Sequence, residues 1–396
     1  MPGFELWGAE ERREVEEVLE TGILMRYGFD GARKGRWKAR ELEAALCQRT
    51  GAAHALVVSS GTAALTTALA ALGIGAGDEV VMPTFTFVAS FEAVLSVGAV
   101  PVLADVDDTL TLSPAAARAA VTSRTRAVMP VHMCGAMADL GALDALCRDK
   151  GIALLEDACQ ATGGTWKGRA LGSIGKAGCY SFDFVKTITC GEGGAVVTSD
   201  PEVARRCDQY ADHGHDHLGA DRGADLHPAL GYNFRISELH AAVGLAQIRK
   251  LDRFLGIQRR NKVALRAALA AVPGVTFRRI PDPEGDSASF LSFFLPDEGR
   301  ARAAARAMQG AGIPAMYWYD NNWHYVRRWD HLKSASSPSP LPVNIRAALA
   351  ATAARPFPAS DAVMCRAIST PIGLAWNDGQ LAERAAKLAA AVGSVG

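Results

Sequence analysis

The stretch Ala55-Leu56-Val57-Val58-Ser59-Ser60-Gly61-Thr62-Ala63-Ala64-Leu65 joins an apolar β-run directly to the start of a helix. Two later units repeat this plan, with β-runs at residues 79–82 and 127–131 preceding helical patterns over 87–97 and 140–149. Apolar β-runs that alternate with helices are typical of a mostly parallel sheet covered on both faces. Residues 39–210 are therefore predicted to form an α/β domain.

The pattern changes after this region. One long helical stretch is predicted over residues 239–260, followed by Ala-rich helices and short β-like runs such as Phe290-Leu291-Ser292-Phe293-Phe294-Leu295. We predict a large domain over residues 1–250, including the N-terminal segment, and a smaller α+β domain over residues 251–396. The segment 333–342, rich in Ser and Pro, is predicted to be an exposed loop.

Charge and cysteine content exclude several classes of function. Lys plus Arg number 42 and Asp plus Glu number 42, so no basic excess is available for nucleic acid or an anionic membrane surface. The 8 cysteines include no C-x-x-C pair, which favours reduced thiols in the cytosol. The N-terminus lacks a secretory pattern, and no apolar run is long enough to span a bilayer. We expect a cytoplasmic protein that acts on small molecules.

Ser59-Ser60-Gly61-Thr62, where the first helix begins, has the character of an anion site. The first amides of a helix have no partner inside the helix, and the positive end of the helix dipole favours a negative group. Gly61 would let a phosphate approach the backbone. Taken alone, these residues are explained better by an ordinary helix cap of Ser or Thr. The chain has no G-K-[ST] element, which excludes a Walker-type phosphate loop.

One lysine, Lys186, lies in the mostly apolar stretch Tyr180-Ser181-Phe182-Asp183-Phe184-Val185-Lys186-Thr187-Ile188-Thr189-Cys190-Gly191-Glu192-Gly193-Gly194. An ammonium there is expected to be poorly solvated, and desolvation favours the neutral, nucleophilic amine. Lysines of this kind form Schiff bases. The alternative is a surface lysine whose stem lies on apolar neighbours.

An acid, Asp157, ends the apolar run Leu154-Leu155-Glu156-Asp157, and open α/β sheets bind their ligands where such strands end. Asp157 can hold a pyridinium nitrogen protonated, and Gln160 can donate to a phenolate oxygen. Ser181, five residues before Lys186, can reach the phosphate held at the helix start. Each residue alone has an ordinary structural explanation, but together they predict a pyridoxal phosphate (PLP) site.

Five stretches resemble, in order, the motifs of the DegT-type sugar aminotransferases. They are residues 59–65, Pro83-Thr84-Phe85-Thr86-Phe87-Val88-Ala89, Glu156-Asp157-Ala158-Cys159-Gln160, residues 181–186 with Gly191-Glu192-Gly193-Gly194, and Gly231-Tyr232-Asn233-Phe234-Arg235-Ile236-Ser237-Glu238. The resemblance runs from about residue 20 to 250. It implies an α/β fold of the fold type I PLP-dependent transferases, with a mostly parallel sheet in the large domain.

The resemblance also implies roles for individual residues. Lys186 would carry the cofactor as a Schiff base, and Asp157 would pair with the pyridine nitrogen. The other implied cofactor contacts are Gln160 at the ring hydroxyl, Phe87 on the ring face, Gly61, Thr62 and Ser181 at the phosphate, and Asn233 at the phosphate of the partner subunit's cofactor. A homodimer with shared active sites follows. A lysine at position 186 argues against the branch that carries His there and dehydrates sugars.

Three segments bear on the substrate: Asp212-His213-Gly214-His215-Asp216-His217, Asp221-Arg222-Gly223 and residues 317–325. They are more similar to the branch that makes 8-amino-3,8-dideoxy-D-manno-octulosonate from the 8-aldehyde of 3-deoxy-D-manno-octulosonate than to nucleotide-sugar members. We therefore expect an amino group to pass from glutamate to an aldehyde or ketone carbon of a sugar by a ping-pong mechanism. The candidate substrate contacts are His215, His217, Arg235, Trp323 and His324.

Two other functions stay open at this point. One is amination of a nucleotide-linked keto-sugar or a cyclitol ketone in natural-product biosynthesis. The other is a non-catalytic, ligand-binding regulator, which the pair of Lys186 and Asp157 disfavours. Neither motif spacing nor charge decides between glutamate and glutamine as the donor.

Several residue clusters have more than one interpretation. His213, His215 and His217 would share a face of an extended segment, but without a fourth ligand at a recognisable spacing we expect no metal site. The aromatic run 317–325 fits an interface core as well as sugar stacking. The basic cluster Arg33, Lys34, Arg36 and Lys38 fits a solvated face better than a site for a substrate carboxylate.

Overall fold

A computed structural model describes residues 3–218 and 223–395 of the chain. The strands are β1 (His54–Val58), β2 (Glu79–Pro83), β3 (Val100–Ala104), β4 (Thr125–Val128), β5 (Ala153–Asp157), β6 (Thr165–Trp166), β7 (Arg169–Ala170), β8 (Ala177–Ser181), β9 (Gly194–Thr198), β10 (Thr276–Phe277), β11 (Phe290–Phe294) and β12 (Ala367–Pro371).

The helices surround these strands. They are α1 (Ala9–Leu19), α2 (Lys38–Thr50), α3 (Gly61–Ala71), α4 (Val88–Ser96), α5 (Pro114–Ala120), α6 (Leu140–Lys150), α7 (Pro201–Ala211), α8 (Glu238–Arg249), α9 (Leu251–Ala270), α10 (Glu298–Gly310), α11 (Asp330–Lys333), α12 (Val343–Ala354), α13 (Pro358–Met364) and α14 (Asp378–Gly393).

The central sheet has seven strands in the order β1-β9-β8-β5-β4-β2-β3. Strands β8, β5, β4, β2 and β3 pair in parallel, whereas β9 pairs antiparallel with both β8 and β1. Strands β2, β8 and β9 are buried along their whole length, as expected for a sheet with helices on both faces. The prediction of a mostly parallel α/β sheet is confirmed.

Local sequence explains where the helices begin and end. Ser60 caps α3 by accepting a hydrogen bond from the Ala63 amide at 3.0 Å, and Asp139 caps α6 in the same way through the Ala142 amide. Gly151 ends α6 in the left-handed conformation at φ 64°, which costs glycine little. The three predicted βα units therefore form close to their expected bounds.

The C-terminal part contains a second, antiparallel sheet in the order β10-β11-β12. Side chains of this sheet pack with α9, α10 and α14 in a core of their own, which includes Leu265, Phe293, Met308, Ile368 and Leu388. The β-like run at 290–295 is thus confirmed as β11. The division of the chain at residue 250 stays a prediction.

Two expectations about helices and loops can be compared directly with the structure. The single helix predicted over 239–260 is wrong, because α8 ends at Arg249 and α9 begins at Leu251, with Lys250 between them. At this break the Lys250 amine donates to the Leu6 carbonyl at 2.9 Å and pairs with Glu11. The exposed loop predicted at 333–342 is confirmed between α11 and α12.

Within the part of the chain that the structure describes, no helix has the length and apolar character needed to cross a bilayer.

Candidate active site

The carboxyl ends of the parallel strands bring the predicted site together. Strand β5 ends at Asp157 and β8 ends at Ser181, while β1 and β2 lead into the Ser60 and Phe87 turns. These four strands run in the same direction, so the residues that follow them meet at one edge of the sheet. Lys186 lies in the connection from β8 to β9 and therefore reaches the same edge.

A cavity of about 310 Å³ opens at this edge. Its lining contains all but one of the predicted cofactor contacts: Gly61, Thr62, Phe87, Asp157, Gln160, Ser181 and Lys186. His324 also lines it, as do Ser90, Cys159 and Glu192. The structure thus places together residues from four strand ends and from a segment more than a hundred residues further along the chain.

The start of α3 forms one wall of the cavity, and its unpaired amides form an open anion site. Ser60 uses its hydroxyl for the Ala63 amide, and the amides of Gly61 and Thr62 have no acceptor among residues 3–218 and 223–395. A Cβ on Gly61 would lie 2.7 Å from the Cβ of Ser181 and 3.3 Å from the Sγ of Cys159. Only glycine lets the helix start approach Ser181 this closely, and the residues that carry the two free amides and the hydroxyl line one cavity.

The Asp157 carboxylate is buried and held from two sides. Its Oδ2 accepts from the Ser90 hydroxyl at 2.7 Å, and its Oδ1 accepts from the Cys159 amide at 3.1 Å. The Ser90 hydroxyl lies 2.6 Å from that of Thr86, so the acid is the end of a hydroxyl chain that runs from the β2 turn through the first turn of α4. These bonds fix the orientation of the carboxylate plane. The donors are a hydroxyl and an amide, which do not compete with the carboxylate for a proton.

The adjacent acid, Glu156, has a structural role. It is fully buried and accepts hydrogen bonds from the amides of Gly172, Ile174 and Gly175 at 2.7–2.8 Å. His132 contacts it as well, at 3.1 Å. Glu156 therefore stabilises the loop before β8 and does not line the cavity.

Gln160 is oriented by the loop after β4. The Cys134 amide donates to its Oε1 at 3.1 Å, which leaves the Nε2 hydrogens as donors for other groups. Cys134 has a left-handed φ of 55°, and its loop is held by the buried Arg278, whose guanidinium donates to the Met133 carbonyl at 2.7 Å. A residue of the C-terminal part thus supports the orientation of Gln160.

The Lys186 amine has no hydrogen-bond or ion-pair partner among the described residues. The expectation that its apolar neighbours would desolvate it is corrected, because Phe184 and Val185 are each 53% exposed and Lys186 itself is only partly buried. The loop that carries Lys186 is instead fixed by the N-terminal segment. The Gly3 amide donates to the Lys186 carbonyl at 3.1 Å, and Phe4 stacks on Phe184. The backbone is held while the amine stays free.

Phe87 and His324 line the cavity, and Trp323, which is not a lining residue, stacks on Phe87. The rings of Phe87 and Trp323 are parallel within 2°, with centroids 5.6 Å apart. Burial, and secondarily the nearby charge of Lys186, lower the pKa of His324 to about 3, so this imidazole is neutral near pH 7. Its Nδ1 lies 2.9 Å from Oδ1 of Asn321, which also accepts from the Trp323 amide. The proton therefore sits on Nδ1, and Nε2 is an acceptor.

The remaining candidate substrate contacts do not line the cavity of their own chain. His217 lies between two carboxylates, 2.5 Å from Asp208 and 2.9 Å from Asp212, and Arg235 pairs with the same Asp212. Burial opposes the charge of His217, but its hydrogen bonds with both acids outweigh it and raise its pKa to about 9. His215 stacks on His217 with centroids 5.8 Å apart.

The histidine segment is not extended, which corrects the expectation of a shared face. His213 and His217 have left-handed φ values of 55° and 53°. Among the described residues, no group of three or more His, Cys, Asp or Glu is arranged to hold a metal ion. Asp221 and Arg222, which contributed to the subgroup prediction, lie outside the described residues.

Asn233 is also absent from its own chain's cavity. Its backbone forms an antiparallel bridge with Asp212, and its side chain is exposed. The Phe234 carbonyl accepts from the Ser59 amide at 2.8 Å, so this segment lies beside the start of α3. The role of Asn233 at a partner's cofactor stays a prediction.

The basic cluster near residue 35 is divided between the surface and the interior. Arg33 and Lys38 are 1% and 3% exposed, which contradicts a fully solvated face. Lys38 bonds to Glu14 at 2.7 Å and Glu17 at 2.6 Å, while Arg33 pairs with Glu238. These cations stabilise the packing of α1, α2 and α8 and do not reach the cavity.

The aromatic run 317–325 likewise divides in two. Trp318, Tyr319 and Tyr325 are buried in the main core of this chain, whereas Trp323 is 57% exposed and stacks on Phe87, and His324 lines the cavity. The run therefore serves packing and the site together.

Sequence reasoning missed Ser90 and the Cys134 amide. Ser90 falls three residues after Phe87, a spacing that places two side chains on one face of a helix, and this signal could have identified it. The Cys134 contact had no sequence signal, because it depends on a loop that only the folded chain brings to Gln160.

The residues present fit a phosphorylated pyridine. The cavity combines an open helix start for the phosphate, a buried carboxylate, a directed amide, an aromatic wall and an unpartnered amine. The thiol of Cys159 is no competing nucleophile, because burial and the charge of Asp157 raise its pKa well above the usual value.

The sequence profile of the DegT/DnrJ/EryC1/StrS aminotransferase family matches residues 6–383. A crystal structure of 3-amino-5-hydroxybenzoic acid (AHBA) synthase is 32% identical, with 98% of this chain and 97% of that chain covered and a TM-score of 0.82.

Two further structures are 28% identical to this chain. One is DesV of S. venezuelae in complex with a ketimine intermediate, with 98% and 94% of the two chains covered and a TM-score of 0.78. The other is DesI in the presence of its TDP-sugar product, with 97% and 90% covered and the same TM-score of 0.78. These likenesses confirm the α/β fold as that of the fold type I PLP aminotransferases.

Proposed function

Since this chain belongs to the DegT/DnrJ/EryC1/StrS aminotransferase family and is a PLP-dependent aminotransferase, we propose that it moves an amino group from glutamate to a carbonyl carbon of a sugar. The observation that carries the proposal is the Lys186 amine, free of any partner among the described residues, in a cavity that also holds the buried Asp157. When bound, PLP supplies an electron sink for the electron pair left when a proton departs from the donor's α-carbon.

We assign to Lys186 the covalent attachment of the cofactor and, once its amine is released, the movement of a proton at Nζ. The fixed backbone of its loop favours this role, because the Gly3 amide holds the Lys186 carbonyl while the side chain can swing. Burial of His324 near the amine keeps this imidazole neutral in the cavity at neutral pH.

Asp157 is assigned to the pyridine nitrogen. Its two oxygens accept from Ser90 and from the Cys159 amide, so the carboxylate is held in one orientation before the cofactor arrives. Gln160 would then donate from Nε2 to the ring hydroxyl, because its Oε1 already accepts from the Cys134 amide. The Gly61 and Thr62 amides and the Ser181 hydroxyl would bind the phosphate, and Phe87 would cover the ring face.

The part of the site that would bind glutamate, the amino donor, is incomplete within one chain. Apart from Lys186, no Lys or Arg among the described residues lines the cavity, yet glutamate brings two carboxylates. We therefore propose a homodimer in which the partner supplies cations and an exposed Asn233 to this cavity. His324, with Nε2 as acceptor, would receive a hydroxyl of the sugar.

For the sugar itself we propose the 8-aldehyde of 3-deoxy-D-manno-octulosonate, on the strength of the segments at 212–217 and 317–325. A nucleotide-linked keto-sugar or a cyclitol ketone is the second candidate, and the likeness to DesI, solved with its TDP-sugar product, favours it. The test is to convert the protein to its amino form with glutamate and then offer each carbonyl sugar, following the return of the aldehyde-form absorbance.

Replacement of Lys186 tests the catalytic assignment. Lys186→Ala should lose turnover by several orders of magnitude, and borohydride reduction should no longer link cofactor to the chain, as read by mass spectrometry. Lys176→Ala is the matched control, since Lys176 is half-exposed and pairs only with Asp200 at the surface. Covalent cofactor on Lys186→Ala would contradict the assignment.

Replacement of Asp157 tests the second role. Asp157→Asn should still bind the cofactor but turn over orders of magnitude more slowly, because an amide cannot hold the ring nitrogen protonated. Wild-type kinetics in this variant would contradict the role. A spectrum that does not change on addition of glutamate to the wild-type protein would instead favour a ligand-binding regulator.

A further inference from the structure

Asn321 does not line the active-site cavity, but its carboxamide holds the ring of His324, which does. The Oδ1 atom of Asn321 lies 2.9 Å from the Trp323 amide nitrogen and 2.9 Å from Nδ1 of His324. A backbone amide only donates, so the atom that it contacts must be the carboxamide oxygen and not the carboxamide nitrogen. The same oxygen can only accept from the imidazole. Two independent contacts therefore place the single ring proton of neutral His324 on Nδ1.

The surroundings of His324 keep its ring in this orientation. The imidazole is tilted against the rings of Phe87 and Trp318, with centroids 5.2 Å and 4.8 Å away. The Trp318 indole is itself fixed, because it donates to the Ser369 hydroxyl at 2.8 Å. The backbone is held as well, since the His324 carbonyl accepts from the Thr86 amide at 2.9 Å. Neither the ring nor the chain that carries it is free to turn away from Asn321.

The second ring nitrogen, Nε2, is left for a ligand. It forms no hydrogen bond within residues 3–218 and 223–395, and it is not sealed from solvent. Burial, and then the charge of Lys186, lower the pKa of this imidazole, so the Lys186 amine is a near neighbour of the ring. An uncharged, accessible acceptor therefore lies close to the amine that is assigned to the chemistry.

A bare nitrogen at this place distinguishes oxygen groups by whether they carry a hydrogen. A hydroxyl can donate to Nε2, whereas an ether, an ester or a carboxylate would direct its own lone pairs at the nitrogen lone pair. A polar group that is desolvated without a partner costs free energy, so these groups are penalised. If Nε2 carried the proton instead, each of them could accept from it. The position of one proton thus decides which oxygen groups fit.

We propose that Asn321 is a positioning residue for substrate specificity, which fixes His324 as an acceptor so that the cavity takes carbonyl compounds with a free hydroxyl beside the reacting carbonyl and rejects their ethers and esters. This inference rests on the proposed function, and it adds the residue that makes the selection and the groups that are rejected. Asn321 acts only through His324, because its own side chain does not line the cavity.

The first test locates the proton in the cofactor-free protein, by nitrogen NMR of isotope-labelled histidine. The wild-type protein should show His324 with a protonated Nδ1 and a bare Nε2, assigned by the signals that are lost in His324→Gln. Asn321→Leu removes the oxygen that holds the Nδ1 proton, so the proton should move to Nε2. Asn321→Asp keeps an oxygen there and should keep the proton on Nδ1. Asn322→Leu is the matched control, since Asn322 is exposed and has no side-chain hydrogen bond among the described residues.

The second test compares hydroxyacetone with its methyl ether, methoxyacetone, as probes of the amino form, which is prepared with pyridoxamine phosphate. An aspartate raises the pKa of a neighbouring imidazole by about 1–3, so work at about pH 8 keeps His324 uncharged in Asn321→Asp as well. Followed by the return of the aldehyde-form absorbance, the wild-type protein should react at least about tenfold faster with hydroxyacetone.

The ratio of the two rates should fall at least about fivefold in Asn321→Leu and stay within about twofold of wild type in Asn321→Asp and Asn322→Leu. The additional methyl group is the same in every variant, so a change in this ratio does not arise from the size of the probe. The recovery in Asn321→Asp separates loss of the acceptor from a general disturbance of the loop.

A proton on Nε2 in the wild-type protein overturns the proposal, and so does an unchanged ratio in Asn321→Leu or a lack of reaction with hydroxyacetone. Failure of glutamate to bleach the aldehyde form is a different result, because it contradicts glutamate as the donor in the proposed function. Neither the NMR measurement nor the amino form made with pyridoxamine phosphate depends on that step.

Discussion

Replacing Gly61 by alanine tests the close approach that forms the proposed phosphate site. The new Cβ would lie 2.7 Å from the Cβ of Ser181 and 3.0 Å from its Oγ. Carbon atoms in contact stay about 3.5–4.0 Å apart, so about 1 Å must be relieved. Ser181 is paired with Gly194 inside the sheet, and the helix start is therefore the part that moves.

The expected loss follows from that movement. A shift of about 1 Å takes at least one of the Gly61 and Thr62 amides out of hydrogen-bond range of the phosphate. A hydrogen bond to a charged group is worth about 1.5–3 kcal/mol, so the PLP dissociation constant should rise about 10- to 150-fold. Overpacking should also lower the stability of the cofactor-free protein by about 1–3 kcal/mol.

The assay is a PLP titration together with thermal unfolding of the cofactor-free protein. Gly256→Ala is the control, because Gly256 lies exposed within α9 with no atom within 4 Å of an added Cβ, and alanine there should be neutral or stabilising. The double variant Gly61→Ala with Ser181→Gly should recover stability but not full affinity, since the Ser181 hydroxyl is lost. Wild-type PLP affinity in Gly61→Ala would refute the reasoning.

Two predictions concern charges away from the cavity. The pKa of His217, raised to about 9 between Asp208 and Asp212, lies above its unfolded value near 6.5, so this stabilisation is complete below pH 6.5 and is lost as pH rises through 9. The unfolding temperature of the wild-type protein should therefore fall more steeply over that range than that of His217→Gln. Lys250→Met should cost about 3–5 kcal/mol of stability, because it leaves the buried Glu11 without its cation.

Each of these two predictions has a control measurement. Parallel pH profiles for the wild-type protein and His217→Gln would show that the two carboxylates do not hold a charged imidazole. For Lys250→Met the control is Arg118→Met, whose pair with Asp149 is more than half exposed at both ends and should contribute under about 1 kcal/mol. Equal losses in the two variants, measured by chemical denaturation, would contradict the burial argument.

Local sequence determined the secondary structure and most of the proposed cofactor site. Each βα unit carries its own signals, an apolar strand followed by a capped helix, and such signals act over a few residues. Parallel strands then bring their carboxyl ends to one edge whatever the loops between them do. That is why the sequence alone groups Gly61, Asp157, Ser181 and Lys186, and why these residues line one cavity.

Contacts between distant segments were beyond the sequence. The apolar neighbours of Lys186 suggested a buried amine, yet Phe184 and Val185 are exposed, because side-chain direction in a loop depends on what packs against it. The charges of Arg33 and Lys38 suggested a surface, yet carboxylates from α1 and α8 meet them in the interior. Burial of a charge requires a partner, and the sequence does not say where that partner lies.

The sequence by itself determined which side chains the proposed cofactor site can use, because residue type and strand-end position fix the chemistry that each can offer. Only the tertiary structure decided how those side chains are oriented: Asp157 by Ser90, Gln160 by the Cys134 amide, and His324 by Asn321. The tertiary structure also decided that His217 forms hydrogen bonds with two carboxylates outside this cavity. The physical reason is that a hydrogen bond depends on distance and angle in the folded chain, and no pattern along the sequence records either.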